Sequence, residues 1–531
     1  MKYVIPALFL LLFLVPVVLR KPAEKLDKQA DQLVIISPHN EAVRYEIEQA
    51  FRKFYREKTG REVCLDWRAI GGGSEISRYI NSAFSANFRN YWCDELKQDW
   101  SQEIATDFLN PKITGQSPAW AARRAFLNSE VGIDIDLFFG GGQYDANKYA
   151  QAGILVPCGV RQRHPEWFAG DKPILNDGGG GEIWNDSEDR YYATCFSTFG
   201  ICTNRDRLKL LGFGPGQPRQ LTTWRDLGDP VFFQALGLAD PSQSGSICKC
   251  FEMIVQRQMQ DTRLALEEQV KSGALTEEEA MDQAWREAMT LLKQIGANAR
   301  YLTSSASKVP VDAASGQIAA GMCIDFYGRS QAAWEASHVG HATMDFLAPE
   351  AGTTVSGDPV ALFRGAPHGE RARMFIDFLL SQEGQKLWNF RLGTPGGPVK
   401  YEIHRLPVRR DLYTDEFRPY MDAPEADPFR QASSFHYRKD WTGSLFDLLR
   451  LLEKVMLIDC HEELQQAWQA LISRPERSEA AWQEFIALPF EFSQAKDIAA
   501  ELRKPNARER LSREWLLFFR ERFLKTAEKC D

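Results

Sequence analysis

Three times in its first 155 residues this chain repeats one device: a run of β-forming residues, a polar or glycine-rich turn, then a segment with helical spacing. "QLVIISPHN" leads into "EAVRYEIEQAFRKFYREKTG", "REVCLDWRAI" passes through three glycines into "SEISRYINSAF", and "GIDIDLFFGGGQYD" opens on "ANKYAQAGIL". Strands that alternate with helices of that length cannot pair as hairpins, so they predict a parallel sheet with helices on its faces. Open sheets of this kind bind ligands beyond the carboxyl ends of their strands. The turns "SPHN", "GGGS" and "GGGQYD" fall at those ends. They supply the first candidate ligand-binding residues: Ser37, His39, Gly72, Gly73, Ser74, Gly141 and Gly142.

Glycine beside a helix start has a second reading besides turn flexibility. It removes the β-carbon that would hold a ligand away from the backbone, and the first amides of a helix carry unsatisfied N–H groups and about half a positive charge. An anion can therefore be held there without many cationic side chains. Serine at the same place adds a hydroxyl, although it also caps helices for structural reasons alone. "LGLADPSQSGSICKCFEMIVQ" repeats the device and adds Ser242, Ser244, Gly245 and Ser246. "SGQIAAGMCIDFYGR" ends a short strand at Asp325 and Tyr327.

Composition narrows the class. With 531 residues, 44% of them hydrophobic, and a formal net charge of -8, the chain suits a globular protein of two to four domains. No basic run with interleaved aromatics is present, which argues against a nucleic-acid partner. Residues 3–19, "YVIPALFLLLFLVPVVL", are uncharged and are followed by Arg20 and Lys21. They read as a signal anchor or signal peptide that sends the remainder out of the cytoplasm, to the periplasmic or extracellular face. The ten cysteines contain no CxxC; Cys195 and Cys202 are placed to pair or to face one another across a hairpin, and small buried thiols are the alternative. "CHEELQ" lacks the second histidine of a zinc protease, "GFGPGQ" reads as a surface turn, and "GGGG" at 178–181 as a mobile loop.

The ordered segments "LVIISPHNEAVRYEIEQAFRKFYREKTG", "GGGSEI", "DIDLFFGGG", "ADPSQSGS", "GQIAAGMCIDFYGR" and "SGDPVALFRGAPHGERARMFIDFLLSQEGQ" together resemble the extracellular solute-binding proteins of ABC importers. Within these the likeness is to the two-lobed class of ferric-ion and phosphonate or organophosphate binders, over roughly residues 31–410. The resemblance implies an α/β, two-lobed, periplasmic-binding-protein-like fold of type 2, with a C-terminal helical extension added here. It implies residues 1–30 as the leader, 31–203 as the first part of lobe 1 with an insertion at 86–130, 204–335 as lobe 2, 336–412 as the return to lobe 1, and 413–531 as the extension. It further implies a monomer that captures a small anionic solute, of phosphonate or organic phosphate type, and presents it to an ABC permease, without catalysis, a cofactor or a resident metal. The alternative is ferric ion as cargo, held by His39 and Tyr327. Ferric binders carry adjacent tyrosines and a further carboxylate, whereas this chain has Phe326 beside Tyr327 and "FFGGGQ" after the third strand. A membrane-tethered sensor or an extracytoplasmic enzyme on the same scaffold is the reading from another class. No nucleophile and base, or carboxylate pair, stands out to support the enzyme.

Overall fold

A computed structural model describes residues 30–339, 343–474, 476 and 478–530; the apolar run at 3–19 lies outside them. Among the described residues no helix is long and apolar enough to cross a membrane.

The chain opens with β1 (Asp31–Ile36), α1 (Glu41–Thr59), β2 (Val63–Arg68) and α2 (Gly73–Asn90). Helix α1 begins where the Asn40 side chain accepts the Val43 N–H and stops where Gly60 turns left-handed. After α3 (Pro118–Leu127) come β3 (Leu137–Phe139), α4 (Gln143–Ala152) and β4 (Leu155–Val156). Strand β1 pairs in parallel with both β2 and β3, as the alternation requires. The segment expected as an insertion folds onto the same sheet: Phe88, Trp92, Phe108 and Phe126 bury together beneath it.

The chain then crosses. Strand β5 (Tyr191–Ser197) belongs to the first sheet, and β6 (Phe199–Asn204) to a second, with only Thr198 between them. The second sheet is built from β7 (Leu236–Ala239), followed by α5 (Gly245–Ala265) and α6 (Glu277–Asn298), then β8 (Ala299–Thr303), β9 (Ala320–Ile324), α7 (Asp325–Val339) and β10 (Met344–Leu347). Strand β11 (Ser356–Phe363) returns to the first sheet, and α8 (Gly369–Leu380), α9 (Gln382–Asn389) and β12 (Leu406–Pro407) complete it. The two sheets have the orders β12-β5-β11-β3-β1-β2, with β4 on β11, and β8-β7-β9-β6-β10. By hydrogen bonding, β6 and β10 belong to the second sheet. Cys195 and Cys202 are free thiols on strands of different sheets, which excludes their pairing in this fold.

The C-terminal region contains no strand among its described residues after β12 and divides in two. Residues 413–432 run over lobe 1, where Ala432 joins its core, and Phe435 and Tyr437 already belong to the core of lobe 2. Helices α10 (Phe446–Glu453), α11 (His461–Ile472), α12 (Glu479–Ile486) and α13 (Ala507–Cys530) share one continuous core with lobe 2. Trp285 of α6 is fully buried against Phe490 and Phe492, and Gly296 lets Leu457 approach so closely that a β-carbon there would stand 2.8 Å from its Cδ2. Each such buried apolar side chain contributes roughly 1.5–3 kcal/mol, so this extension is part of lobe 2's core.

The glycines at 178–181 are not a mobile loop. Gly178–Gly179 and Glu182–Ile183 form a two-stranded hairpin, and Tyr437 N–H donates to the Gly180 carbonyl at 2.6 Å. A β-carbon on Gly180 or Gly181 would collide with the carbonyls of Ala432 or Tyr437. Close backbone approach, rather than freedom, explains this run.

Candidate functional site

A cavity of about 1250 Å³ lies between the two sheets' strand ends. Lobe 1 lines it with His39 and Asn40 before α1, Gly72 and Gly73 at the start of α2, and Gly141 and Gly142 before α4. Lobe 2 lines it with Ser244, Gly245 and Ser246 at the start of α5, and with Phe326 and Tyr327 in the first turn of α7. Nine of the sequence-derived candidates thus share one surface: His39, Gly72, Gly73, Gly141, Gly142, Ser244, Gly245, Ser246 and Tyr327. Three others stand apart. Ser37 is buried and its hydroxyl accepts the His39 N–H. Ser242 donates its N–H to Asp240 and is not on the cavity wall. Asp325 is wholly buried behind the wall, accepting the Phe326 N–H and facing Thr198. Ser74 contributes backbone to the first turn of α2.

The helix starts differ in what already satisfies them. Gly72 and Gly142 cap α2 and α4 with no side-chain hydrogen bond, which leaves their first amides open. The Ser244 hydroxyl accepts the Ile247 N–H and lies 3.0 Å from that of Ser246. At α2 two carboxylates already stand close: Glu75 folds back against Gly71 and Gly72, and Asp145 lies beside Gly73. Burial pushes the Asp145 carboxyl up to about 6. Asp145 lies in the first turn of α4 itself, so both lobe 1 helix starts carry a carboxylate, whereas α5 has no acidic residue in its first turn and is the more open positive end.

The cavity floor contains residues that sequence motifs do not mark. Arg405, buried, pairs with Asp358, contacts Cys195 Sγ at 3.2 Å and stacks 4.0 Å over Phe326. Beside it His39 packs edge-on against Phe139. Burial, then Arg405 and Arg44, hold the His39 pKa well below the ordinary value, so its ring is neutral. Gly140 makes room for it: φ is +94°, and a β-carbon there would stand 2.7 Å from Nε2. For Tyr327, burial pushes the phenol pKa up, which opposes the phenolate that a ferric ligand requires. Among the described residues, one trio of His, Cys, Asp or Glu has ligating atoms close enough for a metal: Glu402, His404 and Asp422. It is not on the cavity wall.

The extension supplies a third wall through Tyr437, Lys439, Phe446, Asp447 and Arg503. It also links the lobes. Lys249 of α5 makes ion pairs to Glu182 of the hairpin at 3.0 Å and to Glu252 at 2.9 Å, under the Tyr437 ring at 3.8 Å. Burial opposes its charge, but Glu182 and Glu252 outweigh burial and raise its pKa. Tyr437 and Thr442 both donate to Glu252. Farther along, Tyr144 of α4 meets Phe446 and Asp447 of α10. No local pattern could announce the contacts of Tyr437, Thr442 and Asp447, which join residues roughly 190 to 300 positions apart.

Residues 176–403, which include both crossings, match the family described as bacterial extracellular solute-binding proteins. No match is found among curated proteins. Similar solved structures include iron-bound HitA from Pseudomonas aeruginosa, at 14% identity over 79% of this chain and 98% of that one, with a TM-score of 0.47. Another is the periplasmic binding protein AfuA from Actinobacillus pleuropneumoniae with exogenous fructose-6-phosphate bound, at 16% identity, 83% and 98% coverage, and a TM-score of 0.43. A third is the spermidine/putrescine substrate-binding protein PotD from Streptococcus pneumoniae, at 12%, 80% and 99%, and 0.46.

Proposed function

Taking residues 176–403 as a bacterial extracellular solute-binding domain, we propose that this chain is an extracytoplasmic receptor, tethered or exported by residues 3–19. It captures a small organic anion between its lobes and presents it to an ABC permease. The observation that carries the reading is the placing of helix starts on both walls of one cavity, Gly142 without a side-chain cap on lobe 1 and Ser244 to Ser246 on lobe 2. Preorganised amides on facing walls stabilise a negative charge best when the walls approach, so binding favours the closed arrangement. The crossings through Thr198 and residues 348–355 are the places where the backbone can flex.

A ferric cargo is the second reading, favoured by one feature: His39 Nε2 lies buried at the cavity without a hydrogen-bond partner. The raised Tyr327 phenol counts against it. Isothermal titration of the whole protein with fructose 6-phosphate, methylphosphonate, ferric citrate and spermidine separates the possibilities. Binding of a phosphorylated or phosphonate solute is expected. Uptake of iron or spermidine alone, or of none of the four, contradicts the proposal.

A further inference from the structure

Three polar atoms at the cavity floor are buried with no hydrogen-bond partner in the chain: His39 Nε2, Ser197 Oγ and Arg405 Nε. Their residues are 6%, 1% and 4% exposed, and all three line the cavity. They come from distant positions: the loop after β1, the end of the crossing strand β5, and the segment entering β12. A buried polar group left unpaired is costly, and most buried polar groups in folded proteins have partners. Other buried atoms are also left unpaired, among them Tyr149 Oη on the same cavity wall and Arg161 and Arg410 Nε away from it. These three are set apart by standing together at the crossing, with His39 and Arg405 both against the Trp388 ring and Arg405 on Cys195, two residues before Ser197, and a guest there would complete the bonding.

We infer that His39, Ser197 and Arg405 form the head-group subsite of the cleft and hold an oxyanion, carboxylate or phosphoryl, of the captured solute. This rests on reading the cleft as the solute site and deepens it. Arg405 is fixed for the role: Asp358 and Cys195 hold one end of its guanidinium, Phe326 lies over its face, and the Nε edge is left over. A planar guanidinium edge matches two oxygens of a carboxylate or phosphoryl group. Ser197 adds a hydroxyl donor, and a neutral imidazole at His39 donates or accepts according to its tautomer. Since Ser197 immediately precedes the crossing at Thr198, a guest bound here touches the hinge itself.

Crystals of the whole protein soaked separately in selenate and in p-bromobenzoate test this by anomalous scattering, the first standing for a phosphoryl head and the second for a carboxylate. A peak within hydrogen-bond distance of Arg405 and Ser197 for either probe is expected, and the probe that gives it identifies the head. Peaks confined to other places, or no peak with either probe, overturn the inference. The variants Ser197→Ala, His39→Asn and Arg405→Lys are then titrated with whichever solute the wild type binds, and each is expected to bind about tenfold or more weakly. Ser197→Ala removes one hydroxyl and keeps the test open should Arg405→Lys not fold. Wild-type affinity in folded Ser197→Ala and His39→Asn overturns the subsite while leaving the receptor reading intact. Anion density at the floor together with no binding of any organic anion in solution would refute the receptor reading alone.

Discussion

At Gly140 the sequence, the backbone and the site meet. The residue sits at φ +94° with His39 Nε2 occupying the space a side chain would need, so both conformation and packing exclude a β-carbon. Gly140→Ala is expected to lower stability by roughly 1–3 kcal/mol in urea unfolding. His39 carries a pH signature. Its folded pKa lies below the ordinary value, so between that pKa and about 6.5 the unfolded chain binds the proton and the folded one does not. Its effect on stability is therefore nil above about pH 6.5 and becomes destabilising as the pH falls below it. Urea midpoints at pH 7.5 and 5.5 are expected to fall less in His39→Gln than in the wild type. Glycines beside strand ends were legible because only backbone chemistry explains so many together. Arg405 and Ser197 were not, because a buried arginine inside "EIHRLPV" and a serine ending a strand are locally ordinary. Only the crossing of the chain brings them together.

At the scale of elements, alternation and capping read directly from sequence: Asn40 and Gly60 bracket α1 where the pattern places its ends. What escaped is the hairpin at 178–181. Four glycines in a row look the same whether they are free or pressed against another backbone, and the partner, residues 432–437, lies some 250 positions on. Two glycines separate these cases. Gly180 and Gly216 both have positive φ, but a β-carbon on Gly216 meets nothing within 4 Å whereas one on Gly180 strikes the Ala432 carbonyl. Gly180→Ala is expected to cost more stability than Gly216→Ala, which should cost only about 1 kcal/mol, in parallel thermal or urea unfolding. Tyr437→Phe removes a buried donor to Glu252 and is expected to cost roughly 1–3 kcal/mol. If the extension restrains opening through this contact, the unliganded variant should also show a larger radius of gyration in X-ray scattering.

For the molecule as a whole, the two-lobed arrangement follows from hydrophobic patterning plus two crossings, and the order of strands and helices was enough to foresee it. A crossing strand looks the same in sequence whichever sheet it joins; β5 and β6 are one apolar stretch, divided at Thr198. The extension was foreseen as helical, but its part in lobe 2's core and in the cavity wall depends on long-range packing of Trp285, Gly296 and Tyr437. Native mass spectrometry of the protein isolated from its own host, without dialysis, tests most directly whether the cleft holds an organic anion. The account expects a stoichiometric adduct that, once released, proves to carry a carboxylate or phosphorus-containing group. Stoichiometric iron with a visible phenolate absorption, or a polyamine in its place, would contradict it.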